Sequence, residues 1–224
     1  MLMRDRIYQL IRRSILTCEF EPGQELREQV LAEKYQVSRS PVRDSLLRLE
    51  QENLVTVLPR QGYLITPVSI IDAEEIFGLR LVIEPACAAA AARRDDAAVR
   101  TLDQFRDRAN ILSDSSKFFE YNIALHSAVA ILSGNARVAS VAHDLAEQFD
   151  RLVRIILRDD PTVIINALID EHDAIIDAVQ AHDADAAYRH AYDHVAGARS
   201  RIIFLLGQSA ATREGHSGGG GKLN

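Results

Sequence analysis

Two arginines four residues apart, Arg39 and Arg43, open the segment "VSRSPVRDSLLRLEQENL". Residues at that spacing share one face of a helix, and neither belongs to the apolar stripe of Val42, Ser45, Leu46 and Leu49. An arginine presented outward at a helix N-terminus can bond guanine O6 and N7 together, or grip a phosphate. Ser38 and Ser40 put hydroxyls and helix N–H groups where a phosphate would meet them. Arg60, Gln61 and Gly62 follow in a "PRQG" turn, suited to reach a minor groove or the adjoining backbone. A second chemistry is carried by histidines. Asn122 and His126 are also four apart, and His172 and His194 fall in two later segments. Three imidazoles and an oxygen donor suit a divalent transition metal when a fold brings them together. His190 precedes His194 by four, so spacing alone does not choose between them, whereas His143, His182 and His216 read as ordinary satisfied or exposed side chains. Arg80 stands four residues before Glu84. It can clamp the carboxylate of a ligand with two parallel bonds, or form an internal salt bridge with Glu84.

The arginines need a helix-turn-helix to present them. Ile7, Leu10, Ile11 and Ile15 predict a helix over about residues 4–17, and Pro22-Gly23 breaks it. A second helix covers about residues 27–35, and a tight connection leads to a third, with Ser38 as N-cap and Pro41 in its first turn. Asn53 suits a left-handed position after that helix. "LVTVLPRQGYLITPV" then reads as two short strands around a turn. Three helices and a hairpin make a winged helix-turn-helix over residues 1–68, with the third helix as its reading element. A short linker spans about 68–72. Beyond it only helices are expected, near 72–92, 95–113, 116–132, 135–157, 161–181 and 184–207, with breaks at Gly134-Asn135, Asp159-Asp160-Pro161 and His182-Asp183. An antiparallel bundle is their natural packing. The fold class is therefore mostly α: a winged helix-turn-helix followed by an all-α bundle at 69–207, with a Gly-rich, disordered tail at 208–224.

Composition agrees with this division. Hydrophobic residues make up 47% of the chain but aromatics only 6%, and alanine runs such as "CAAAAAARR" favour helix. The formal net charge is −6. Residues 1–68 hold ten basic against nine acidic side chains, and the remaining 16 and 23 fall in 69–224. The acid is thus concentrated in the second part. This argues against a polycation-like binder and leaves room for a local cationic patch. Two distant cysteines suggest no disulfide framework and fit a reducing, cytoplasmic setting. No apolar run approaches the roughly 20 residues of a membrane span.

The stretch "FEPGQELREQVLAEKYQVSRSPVRDSLLRLEQENLVTVLPRQGYLITPV" closely resembles the winged-helix domain of GntR-family bacterial transcription regulators. The resemblance covers residues 4–68. It implies DNA contacts by Arg39, Ser40 and Arg43, with a wing near Arg60 to Gly62. Gln29 stands where the family's second helix often carries a DNA-contacting arginine, and Asn53 replaces a common glycine. "LRLVIEPACAAAAA", "YNIALHSAVAILSGN", "IDEHDAIIDAVQAHDADAA" and "YDHVAGARSRI" resemble the FCD type of effector domain. That resemblance implies a metal held by Asn122, His126, His172 and His194, and it favours His194 over His190. Zinc is expected, with nickel or manganese as alternatives. An amide is a weaker ligand than a carboxylate and leaves more positive charge, which favours an anion completing the shell. A metal and Arg80 together would suit a small organic acid.

The expected function is a non-enzymatic transcription regulator, a repressor by family habit, whose affinity for DNA responds to a small carboxylate metabolite. A homodimer would read a palindromic operator, because two-fold symmetry imposes matched half-sites. The alternatives are a regulator whose metal is itself the signal, a constitutive DNA-binding protein with a structural metal, and a metal-dependent hydrolase. The chain has no HExxH, GxSxG or P-loop to support the last, although Glu171 beside His172 offers a carboxylate.

Overall fold

The computed structural model describes residues 2–156 and 162–217, in two compact units, 1–68 and 69–224. The expected break at Asp159-Asp160-Pro161 lies outside the described residues.

The first unit begins with α1 (Met3–Leu16), whose Ile7, Tyr8, Ile11 and Ile15 are buried as their spacing requires. The chain turns at Cys18, with φ 60, and at Gly23, with φ 79. It then forms a strand absent from the sequence reading, β1 (Glu25–Leu26). α2 (Glu28–Tyr35) stops at Gln36, which takes the left-handed conformation. α3 (Arg39–Gln51) buries Val42, Ser45, Leu46 and Leu49, the expected stripe. Each buried aliphatic side chain of this kind contributes about 1.5–3 kcal/mol. Asn53 follows with φ 58.

β2 (Val55–Leu58) and β3 (Gly62–Ile65) pair antiparallel, with Val55 opposite Ile65 and Leu58 opposite Gly62. β1 adds to the free edge of β3, with Leu26 opposite Tyr63, so the wing is a three-stranded sheet in the order β1-β3-β2. A two-residue strand carries too little alternation to be seen in sequence. Only its partner defines it. Gly23 helps to seat it, donating its N–H to the Ile65 carbonyl at 2.9 Å.

The second unit starts at Ser69, which forms a reciprocal capping box with Asp72 at the head of α4 (Ile70–Ala91). α4 packs against α7 (Ser115–Leu132), α8 (Ala136–Ile156) and α10 (Ala184–Ser217), and α10 also packs on α9 (Thr162–Gln180). α7 and α8 are joined through Gly134, with φ 80, a connection short enough to make them antiparallel neighbours. The single helix expected over 95–113 is instead three pieces: α5 (Asp96–Val99), a 3-10 segment (Arg100–Phe105) and α6 (Arg108–Ile111). Asp107 explains the break. Its carboxylate accepts from the Asn110 N–H at 3.1 Å, starting a new helix where the old one would have continued. Next to it, Arg106 reaches Asp177 on α9 at 2.6 Å. The last helix runs to Ser217, beyond the expected end at 207. "QSAATRE" supplies good helix formers there, and the glycine run begins later. No helix among the described residues is long and apolar enough to cross a membrane.

Candidate nucleic-acid interface and metal centre

In the first unit the left-handed Gln36 lets α3 leave α2 at once, so the start of α3 stands clear of the core. Ser38 is the N-cap, but its hydroxyl makes no capping bond and stays exposed beside Arg39 and Ser40. Arg39 and Arg43 are exposed by 64% and 68%, and both turn toward Glu28 of α2, at 3.0 and 3.9 Å. Exposed pairs of this kind are worth about 0–1 kcal/mol. Phosphate can therefore replace Glu28 at little cost. Arg60 and Gln61 are exposed in the β2–β3 turn, where Arg60 has φ 66. Gly62 has a stricter reason than the turn. Its φ is 120, and a Cβ there would lie 2.5 Å from the Leu26 carbonyl oxygen of β1. Gln29 hydrogen-bonds Glu33 at 2.7 Å on the exposed side of α2.

In the second unit three helices deliver one imidazole each: His126 from α7, His172 from α9 and His194 from α10. All three are buried, and one ligand atom of each lies within 4.8 Å of the others. The arrangement of the ring nitrogens is what makes this a candidate metal site. Nδ1 of His126 faces Glu84 at 2.9 Å, Nδ1 of His194 faces Glu171 at 2.8 Å, and Nδ1 of His172 faces the Tyr121 hydroxyl at 3.1 Å. Each Nε2 is thereby left for the centre. Nε2 of His172 and His194 are 3.3 Å apart, and Nε2 of His126 is buried without a partner. Zinc–nitrogen bonds of about 2.0–2.1 Å place two ligands of one ion about 3.0–3.4 Å apart. Carboxylate and hydroxyl partners on the far nitrogen fix ring orientation and tautomer, as at metal-bound histidines generally.

Electrostatics favours the neutral, ligating form. Burial lowers His172 well below its ordinary range. Burial likewise brings His194 down to about 4, against the opposing pull of Glu171. Burial would raise Glu84, but Arg80 and His126 outweigh it and hold the carboxyl well below the usual range.

Asn122 is buried on the His126 face of α7. Its Nδ2 donates to Asp150 of α8 at 2.9 Å, and its Oδ1 has no partner. The amide is thus turned with its donor toward a carboxylate and its oxygen free, the orientation a ligand needs. Burial pushes Asp150 up to about 8, partly offset by the Asn122 hydrogen bond. Arg80 is wholly buried and adopts the salt-bridge alternative. Its Nε bonds Glu84 Oε1, its Nη2 lies 3.3 Å from Glu84 Oε2, and its plane covers Phe149 at 4.1 Å. Only Nη1 lacks a partner, so the expected two-pronged grip on a ligand is already taken by Glu84. His190, the rival by spacing, is exposed.

Residues 3–65 match the family described as bacterial regulatory proteins, gntR family, and residues 75–197 match the FCD domain. Over 218 residues the chain is 31% identical to an uncharacterized HTH-type transcriptional regulator in an unstable DNA locus of Streptomyces ambofaciens, spanning 93% of this chain and 92% of that protein. The chain belongs to the GntR family. This GntR-family regulator is also 26% identical over 197 residues to the HTH-type transcriptional repressor RspR of Escherichia coli K12, covering 86% of each. Its fold is similar to that of E. coli McbR/YncC, with a TM-score of 0.76 over 94% of this chain and 99% of that one at 20% identity. A GntR regulator from Rhodococcus gives 0.74 at 24% identity, over 89% and 97%.

Four residues that support the regulator's histidine cluster were not singled out as such in sequence: Glu84, Tyr121, Asp150 and Glu171. One signal was there. Asp150 follows Phe149 on the stripe of Leu145, Ala146, Phe149 and Val153, and an acid on an apolar stripe marks a partnered site.

Proposed function

We propose that this GntR-family regulator is a cytoplasmic homodimeric repressor whose grip on a palindromic operator is set by a small carboxylate metabolite at a metal centre. Asn122, His126, His172 and His194 hold the ion, with zinc the leading candidate and nickel or manganese the alternatives. The observation that carries this reading is the convergence of three buried imidazoles, one ligand atom of each within 4.8 Å of the others and each Nδ1 already tied. A bound ion supplies Lewis acidity for a carboxylate oxygen. The chain's own residues do the rest. Glu84, Glu171 and Tyr121 orient the rings, Asp150 orients the Asn122 amide, and Arg80, paired with Glu84, keeps Nη1 as a donor for the effector.

At the other end of the chain, Ser38, Arg39, Ser40 and Arg43 meet phosphate and base edges, and Arg60, Gln61 and Gly62 form the wing. Ile71, Leu79 and Val82 are exposed apolar side chains on one face of α4, around Gly78 and Glu75, with Ile71 70% and Val82 72% exposed, and this face supports a homodimer. Regulation is favoured over hydrolysis because the acids beside the histidines are engaged. Glu171 takes two bonds from Arg201, at 2.9 and 3.0 Å, besides that from His194. The test is elemental mass spectrometry of the purified full chain beside His172→Ala. About one metal per chain is expected, absent from the variant, while the winged helix keeps its fold by NMR. Metal retained in His172→Ala would refute the ligand set.

A further inference from the structure

The exposed side of α2 and the start of α3 enclose a concavity of about 530 Å3. Gln29, Ala32, Glu33 and Gln36 line it from one side, and Ser38 and Arg39 from the other. A duplex edge that reaches Arg39 therefore also lies over Gln29. The charges here disfavour a phosphate beside Gln29. Arg39 shares its charge with Glu28 at 3.0 Å, and Glu33 adds an exposed carboxylate one helical turn from Gln29.

The Gln29 amide has one orientation open to it beside Glu33. The two side chains are hydrogen-bonded at 2.7 Å. A carboxylate carries acceptors and no donor, so the amide nitrogen must face it. One Nε2 hydrogen is spent on Glu33, and the other remains for a ligand together with Oε1. A donor and an acceptor side by side match the major-groove edge of adenine, whose N6 donates and whose N7 accepts. Guanine presents two acceptors there, O6 and N7, and would set one of them against Oε1. Cytosine and thymine offer such an amide one bond each.

We infer that Gln29 is a specificity-determining residue that reads an adenine in each half-site, its amide held in the reading orientation by Glu33. This rests on the DNA-reading face proposed above. Gln29 brings no charge, so its contribution is to preference at one base pair and not to affinity for DNA at large.

Selection of duplexes from a random pool by the full chain tests it, in parallel with Gln29→Ala, Gln29→Arg, Glu33→Ala and Arg39→Ala. Fluorescence anisotropy at fixed salt then compares single-base variants of the selected duplex. Gln29 is exposed, and alanine and arginine are good helix formers, so its variants keep α2. The parent should enrich an A·T pair at one position of each half-site and bind the G·C variant about 5- to 150-fold more weakly. Gln29→Ala should lose that discrimination and leave every other position as it was. Gln29→Arg should turn the same position to guanine, because a guanidinium offers two donors to O6 and N7. Glu33→Ala frees the amide to turn over and should narrow the adenine-to-guanine gap; a gap left at full width removes Glu33 from its role. A selected sequence identical for the parent and Gln29→Ala overturns the adenine contact. So does a Gln29→Ala chain that binds every duplex more weakly by the same factor, which is the mark of a phosphate contact. If Arg39→Ala still loses affinity in either case, the DNA-reading face stands without Gln29. If Arg39→Ala also changes neither sequence nor affinity, the face itself is misplaced.

Discussion

Glu28 holds the first two arginines of α3 in the free protein, and this shapes what either can do on DNA. The carboxylate keeps Arg39 and Arg43 extended over one side of the helix start, at 3.0 and 3.9 Å, without burying them. Ordering two long side chains in advance reduces the entropy lost on binding. If Arg43 reads a base, Arg43→Ala should weaken binding to an operator selected from random sequence by about 1–3 kcal/mol. Fluorescence anisotropy at fixed salt measures this. Unchanged affinity and unchanged preference would remove Arg43 from the reading set. Arg80 shows the limit of arguments at this scale. A lone arginine four residues before a glutamate fits a ligand clamp and a salt bridge equally well in sequence. Packing beneath Phe149 commits its Nε and Nη2 to Glu84.

Among the elements, the wing depends on a strand the sequence does not announce. β1 brings the Leu26 carbonyl against Gly62, so Gly62→Ala meets both a clash and a backbone angle of φ 120 that alanine resists. The first unit should lose about 1–3 kcal/mol, seen in urea unfolding followed by resonances of residues 1–68. A variant as stable as the parent would mean that β1 does not hold its place. The turn between α9 and α10 is a second test. His182 takes φ 58, and its ring spans the Ala92 carbonyl at 3.0 Å and Asp96 at 2.8 Å. Those hydrogen bonds raise its pKa above the ordinary value, the carbonyl contributing most. A raised histidine stabilises the fold fully below its unfolded pKa of about 6.5 and loses that contribution as pH rises through the folded value. His182→Gln should therefore lower the melting temperature more at pH 5.5 than at pH 9. The effect should be small, because the ring is exposed. An equal loss at both pH values would contradict the protonated contact. His182 reads as an ordinary polar turn residue in sequence, since neither Ala92 nor Asp96 is near it along the chain.

For the whole molecule the questions are assembly and response. Ile71, Gly78, Leu79 and Val82, with Glu75 among them, share one face of α4 by helical spacing, yet that face points out of its own unit. A carboxylate at its most exposed apolar position, Val82→Glu, should shift the protein from dimer to monomer in sedimentation velocity at micromolar concentration. Affinity for a palindrome should fall while affinity for one half-site stays. A dimer that survives the change would place the interface elsewhere. Response to a metabolite is a linkage problem. An effector changes operator affinity only by binding the DNA-competent and DNA-incompetent arrangements unequally.

The local features were set by sequence. The α3 stripe, the left-handed Asn53, the Gly134 turn and the helical second unit all follow from periodicity and from what one residue can do with its own backbone. The arginines at the start of α3 follow in the same way. What lay beyond those short-range rules was settled by packing. β1 exists only because β3 offers it an edge. Glu84 reached His126, and Asn122 reached Asp150, across gaps in the chain that no periodicity spans. Tertiary packing also chose His194 over His190, by burying one and exposing the other. Hydrogen bonds between distant residues depend on where helices lie against one another, and that is fixed by the shapes of whole buried faces.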